Sequence, residues 1–239
     1  MEHCKVCGSH KHVCRVCGAE LHRRFDDFIL RAEIIYAIFM AWGYAAAAEA
    51  VIRADNWKGF PLLAISTFVL IRFFFAPTRN LHAAALLSER HKSWRWVVFT
   101  LDFPILIFHS FAYYTMCIAV RGSEENAYRF FQWFIILLSA NVVWLFFIAL
   151  RMHLLHRHTH YGTFIKWCVN NFVSVVLFFI ASYIWSGSAA SFFGLFFAKE
   201  AAFVIHAGVP LYWVFFWIAL ANCIADVILT ASDYLGFDS

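Results

Sequence analysis

Long apolar runs, broken at nearly regular intervals by short polar or basic segments, set the pattern of this chain. Runs at 28–51, 61–77, 97–120, 130–151, 164–185 and 209–230 are long enough, as helices, to cross or nearly cross a hydrocarbon layer roughly 30 Å thick. Apolar residues are almost continuous within them, which predicts helices and excludes a barrel, whose strands alternate over about ten residues. The expected fold class is an all-α polytopic membrane protein, with about six transmembrane helices within residues 23–239 and a small element at 1–22. The stretch 189–206 is apolar but carries Lys199 and Glu200, so an interfacial or re-entrant helix is expected there. A seventh span is the alternative, and the two options put the C-terminus on opposite sides.

Composition agrees with the pattern. Hydrophobic residues make up 63 % and charged residues 14 %, which excludes an ordinary soluble domain. The first residues lack the apolar core of a cleavable signal, so the N-terminal element is expected to be retained. Orientation follows from the basic residues near the span ends. Lys5, Lys11, Arg15, Arg23 and Arg24 precede the first span, and Arg79, Arg90, Lys92 and Arg95 follow the second. Arg151, Arg157 and Lys166 flank the loop after the fourth. In the alternate loops, Glu49 and Asp55 offset Arg53 and Lys58, and Glu124 and Glu125 offset Arg121. This asymmetry predicts a cytoplasmic N-terminus, in a setting such as the bacterial inner membrane.

The N-terminal element carries the most specific chemistry in the chain. Cys4-Lys-Val-Cys7-Gly8 and Cys14-Arg-Val-Cys17-Gly18 form two Cys-x-x-Cys-Gly knuckles, followed by Leu21. Two such pairs supply four thiolates, which suits one tetrahedral zinc ion. The segment resembles the short bacterial zinc ribbon, with Lys5 and Arg15 where that family usually has Pro. The resemblance covers residues 4–21 only. It implies Cys4, Cys7, Cys14 and Cys17 as ligands of one structural zinc per chain, in a site with no open position. Two disulfides or a redox dithiol are the alternatives, but a reducing compartment disfavours the first and no thioredoxin-like pattern supports the second. A segment this short cannot bury a core, so metal binding is expected to drive its folding.

Ionisable and amide residues inside the spans are the next candidates, because each is costly in hydrocarbon. Asp102, His109 and Tyr113 fall on one helical face, as do Asn222, Asp226 and Asp233. Pro104 suits a first helical turn, with Asp102 expected close to a capping position. Glu33 is expected to pair with Arg31 or with a neighbouring helix, and Arg72 needs a partner or must reach back to the headgroups. Glu33, Asp102, His109, Asn141, Asn222 and Asp226 are thus candidates for a polar or ion pathway. The bland reading is a capping Asp, a packed His and amides that hold helices together.

Histidines cluster after the fourth span at His153, His156, His158 and His160, with His82 and His91 after the second. Membrane di-iron oxidases and hydroxylases gather imidazoles at such helix ends. Here His156 and His160 form the only His-x-x-x-His pair, so a basic helix end facing anionic lipid is the competing reading. The chain also approaches compact six-helix prokaryotic potassium channels in size, but lacks their Arg-x-x-x-Phe-Ser-Asp motif and any Thr-Val-Gly-Tyr-Gly filter.

Three functions follow as expectations. The first is a pore-like or effector subunit for transport, whose zinc ribbon docks a cytoplasmic protein or stabilises a homo-oligomer. The second is a non-conducting membrane anchor or accessory subunit of a larger complex. The third is a histidine-rich membrane di-iron oxidase or hydroxylase. The bilayer is the partner common to all three, and no specific nucleic-acid partner is expected.

Overall fold

The computed structural model describes residues 15–53, 59–73, 97–121, 124–154, 161–186 and 202–235. Among them the regular structure is entirely helical. Helices α1 (Arg15–Arg53), α2 (Gly59–Phe73), α3 (Phe103–Ile118), α4 (Glu124–Leu154), α5 (Tyr161–Ser186) and α6 (Ala202–Leu235) follow in order. A wide π turn at Val98–Asp102 leads into α3, and a 3-10 turn at Ala119–Arg121 leaves it. The wide turn has a local cause. Pro104 sits in the first positions of α3 and has no amide to bond backwards.

Five stretches are long and apolar enough to cross a membrane: Leu30–Arg53, Thr100–Ile118, Ala127–Leu154, Phe164–Ile184 and Leu211–Leu229. The chain is therefore a helical integral membrane protein. The described part of α2 is apolar but shorter than a span. α1 starts well before its expected span, and the second knuckle runs directly into it, with Cys17 already in helical backbone. Residues 187–201 lie outside the described residues, and from Ala202 onward the 189–206 stretch is continuous with the last helix.

Outward faces are apolar, as contact with lipid requires. Ile34, Ile38 and Trp42 on α1, and Phe172, Val176 and Ile180 on α5, are all exposed. Hydrocarbon offers no hydrophobic drive for helices to associate, so close packing and internal polar bonds must do it. α1 packs along α3, α3 on α4, α4 on α5, and α5 on α6, with a lesser contact between α4 and α6.

At one end of the bundle the packing is aromatic. Phe131 of α4 meets Phe178 of α5 at 6.3 Å, and Tyr212 and Phe215 of α6 at 5.8 and 5.5 Å, between ring centroids. Phe178 and Phe215 lie 5.2 Å apart, close to edge-on. Edge-to-face pairs set the positive ring edge against the negative face, and each adds about 0.5–1.5 kcal/mol beyond buried area.

α1 reaches its neighbours through small residues. Ala32, Tyr36, Met40, Gly43, Ala47 and Val51 make its buried stripe, at spacings of three and four. Within the alanine run at 45–48, Ala47 is buried and Ala45 faces out. A Cβ on Gly43 would lie 3.0 Å from the Cα of Tyr114, so the two backbones all but touch. Gly43→Ala should therefore lower the thermal midpoint in detergent by the equivalent of about 1 kcal/mol, and Gly43→Ile by more. Ala45→Leu, on the outer face, should leave it unchanged; equal effects at 43 and 45 would remove the close-approach explanation.

Candidate functional site: a buried ion-paired layer

The end of the bundle opposite the aromatic cluster is polar. Antiparallel connections bring together the last turn of α2, the first residues of α3, the last turns of α4, the early part of α5 and the later part of α6. Among the described residues, the buried Lys, Arg, Asp and Glu side chains are Arg72, Asp102, Arg151 and Asp226, and all four lie in this layer.

Asp102 and Arg151 tie α3 to α4. Arg151 donates through Nη1 to Oδ2 at 2.7 Å and through Nη2 to Oδ1 at 2.5 Å, while Trp144 Nε1 donates to Oδ1 at 2.7 Å. The planar guanidinium matches both carboxylate oxygens at once, which is the strongest geometry available to such a pair. The expected capping role of Asp102 is corrected here. Its backbone is itself helical and its side chain makes no cap bond, because the carboxylate has turned inward to Arg151 and Trp144. Arg151 is correspondingly a bundle residue rather than a free loop charge.

Arg72 ties α2 to α5 and α6. Its Nε lies 3.1 Å from Oδ2 of Asp226 as an ion pair, Nη1 donates to Asn222 Oδ1 at 2.5 Å, and Nη2 donates to Asn171 Oδ1. The guanidinium also lies 5.4 Å from the centre of the Phe73 ring. The amides are locked in turn. Asn222 Nδ2 donates to Ser174 Oγ at 2.8 Å and to the Asn170 carbonyl at 3.3 Å. Asn170 Nδ2 returns a bond to the Asn222 carbonyl at 3.1 Å. Arg72 therefore has internal partners and does not reach back to the headgroups.

His109 sits between the two pairs. Its ring lies 5.5 Å from Phe73 on one side and 5.5 Å from Trp144 on the other. The contact of Nδ1 with the Ile105 carbonyl, at 2.7 Å, requires a proton on Nδ1, which leaves Nε2 as the acceptor nitrogen of a neutral ring. That Nε2 is buried and has no partner. Tyr113, one turn on, donates to the Ser66 carbonyl of α2 at 3.0 Å, and Tyr36 of α1 donates to the Phe73 carbonyl.

The candidates separate into three groups. Asp226 and Asn222 meet at Arg72; Asp102 meets Arg151; His109 lies between, facing protein on both sides. Asn141 is buried on α4, and Glu33 is half-buried on α1 with an interaction of its own. The expected pairing of Glu33 with Arg31 is not formed, since Arg31 is exposed and carries no ion pair among the described residues. Glu49 is interfacial and pairs with Arg53 at 2.8 Å, one turn away. His153 is in the last turn of α4. Cys4, Cys7, Cys14, His82, His91, His156, His158 and His160 lie outside the described residues. Among the described residues no three His, Cys, Asp or Glu side chains converge as a metal site.

Sequence reasoning ranked the acids, expected Arg72 to need a partner or reach the headgroups, and counted Arg151 only among the basic residues flanking a loop. Arg72 and Arg151 carried a usable signal: each lies within a turn or two of the end of an apolar run, at the level where Asp102 and Asp226 enter theirs. No family model matches the chain, and no curated protein and no solved structure is detectably similar to it.

The layer carries two arginines and two aspartates, so it is neutral as a unit. Removing one partner strands a charge in low dielectric, at a cost of about 3–5 kcal/mol, whereas removing both costs much less. Arg151→Gln or Asp102→Asn alone should thus unfold at clearly lower denaturant than wild type, and the double variant should recover much of the loss. A double variant as weak as the sum of the singles would show that the two side chains act independently.

Proposed function

We propose that this chain is a membrane anchor or effector subunit, with a closed zinc ribbon on the cytoplasmic face and a six-span bundle that does not itself conduct ions. The observation that carries the reading is the neutrality of the buried layer. A cation pathway built on these acids needs a carboxylate that a passing ion can meet, and here Asp102 and Asp226 are each engaged by an arginine of the same bundle. Both pairs serve to hold helices together.

The zinc assignment rests on donor chemistry. Two Cys-x-x-Cys pairs offer four thiols, the set that tetrahedral zinc takes in structural sites, and the second pair leads straight into α1. Zinc supplies folding energy to a segment too short for a core, and with four protein ligands it leaves no coordination position for substrate. A ribbon of this kind presents a surface, so its work is docking a protein partner or tying copies of the chain together.

A cytoplasmic N-terminus is supported by the basic residues of the N-terminal segment and of the loop after α2, together with a thiol set suited to a reducing compartment. Arg151 no longer contributes to that count, but Arg157 and Lys166 keep the sign of the loop after α4. In this orientation the ion-paired layer lies in the cytoplasmic half of the bundle. The remaining expected span, 61–77, overlaps α2 and is the sixth of this reading.

Metal analysis of the purified full-length protein, joined to a flux assay in liposomes, tests the proposal. The expected result is one zinc and no iron per chain, with wild-type liposomes no leakier than empty ones to potassium, sodium or protons. Flux that is present in wild type and lost in Asp226→Asn would overturn the anchor in favour of the pore. Iron held stoichiometrically by the purified protein would instead favour the histidine-rich oxidase, and a lack of zinc would remove the ribbon.

A further inference from the structure

A cleft of about 270 Å³ runs between α1 and α3, on the side of the bundle that faces lipid. Ala32, Ile35 and Phe39 form one wall, and Phe103, Ile107 and Tyr114 mark the length of the other. The two helices run parallel here, with Ala32 near the start of one candidate span and Phe103 near the start of the other. The cleft is open along its rim, where Ile35 is 46 % and Ile107 48 % exposed.

Its chemistry selects an alkyl chain. Of the three hydroxyls on its walls, those of Tyr36, Ser110 and Tyr114, two are already committed: Tyr36 donates to the Phe73 carbonyl and Ser110 donates to the Leu106 carbonyl at 3.1 Å. From Phe103 to Tyr114 the wall spans eleven residues of sequence, about 16 Å at the helical rise, which is half of a hydrocarbon layer roughly 30 Å thick. The cleft thus has the length of one leaflet and closes where Gly43 brings α1 against Tyr114.

Charge identifies the head. Arg31 precedes Ala32 at the outer end of the cleft, is exposed, and carries no ion pair among the described residues. It is the first basic residue of the Leu30–Arg53 span. A guanidinium there is suited to bind the phosphate of an anionic lipid through two parallel donors. We infer that the α1–α3 cleft is a binding site for an anionic phospholipid, one acyl chain lying in the cleft and the phosphate on Arg31.

The test uses the full-length protein in detergent, with dioleoyl phosphatidylglycerol or dioleoyl phosphatidylcholine added. Lipid retention is read by native mass spectrometry and thermal stability by unfolding. Wild type should retain phosphatidylglycerol in preference and melt higher with it than with phosphatidylcholine. Arg31→Gln should cut the preference by about fivefold, the contribution of one basic residue near a membrane surface, while still taking either lipid. Ile35→Trp, which fills the cleft from its rim, should reduce retention of both lipids. Ile38→Trp, exposed on the lipid side outside the cleft, is the folding control and should behave as wild type. Equal retention of the two lipids by wild type would overturn the site, as would an undiminished preference in Arg31→Gln. Concentration-dependent dimers crosslinked through a cysteine introduced as Ile35→Cys, with no lipid effect, would overturn it in favour of a second copy of the chain.

Discussion

A carboxylate inside a bilayer must be neutralised by the fold that contains it, and this requirement organises the bundle. Asp102 and Asp226 sit on helices that are not sequence neighbours, and each is met by an arginine from a third or fourth element. The arginines in turn need acceptors for their remaining donors. Trp144 and Arg151 close around Asp102; Asn171 and Asn222 complete Arg72. Lipid cannot supply any of these partners, so each choice of helix face near this end is constrained by another. α2 is tied in by several such bonds. α2 is bonded to α1 through Tyr36 and Tyr44, to α3 through Tyr113, and to α5 and α6 through Arg72.

The opposite end solves the same problem of association by other means. There Phe215 meets Phe131 and Phe178 edge to face, Tyr212 meets Phe131 likewise, and Phe131 and Phe178 are tilted, all without any charge. The two solutions differ in how they fail. Loss of one ring leaves a void and costs some dispersion and quadrupole energy, spread over several neighbours. Loss of one arginine strands a carboxylate, and the penalty falls on a single group. The polar layer therefore tolerates few alternative arrangements, while the aromatic layer accepts small readjustments. His109 is where the two styles meet. Its ring packs as an aromatic between Phe73 and Trp144, yet it carries a nitrogen that nothing satisfies.

Much of the architecture was readable from hydropathy alone. Five of the six expected runs correspond to helices of spanning length, and the sixth corresponds to α2. Continuous apolar sequence reports burial in something greasy, which is a one-dimensional property. The partners of the charges are a different matter. Nothing local to Asp102 says that Arg151 will reach it across 49 positions, and Pro104 beside it argued for a cap that the inward rotation of the side chain forbids. Phe content behaved likewise: 29 residues of one type are compatible with lipid contact or with core, and only the packing separates Phe172, which is exposed, from Phe178, which is buried. The Arg31 alternative for Glu33 failed for a simpler reason. Arg31 lies only two positions away, and residues at that spacing point to different sides of a helix.

The placement of α1 links the N-terminal chemistry to the charged layer. It is one continuous helix from Arg15 to Arg53, so the end of the second knuckle and Tyr36 belong to the same element, separated by about 30 Å of helical rise. Tyr36 bonds the carbonyl of Phe73, the residue next to Arg72, and Phe73 also packs on His109. A load applied at residue 15 therefore reaches the Arg72 network through one helix and one hydrogen bond, without passing through a loop. Opposing such movement is the contact of Gly43 with Tyr114, which fixes the height of α1 against α3.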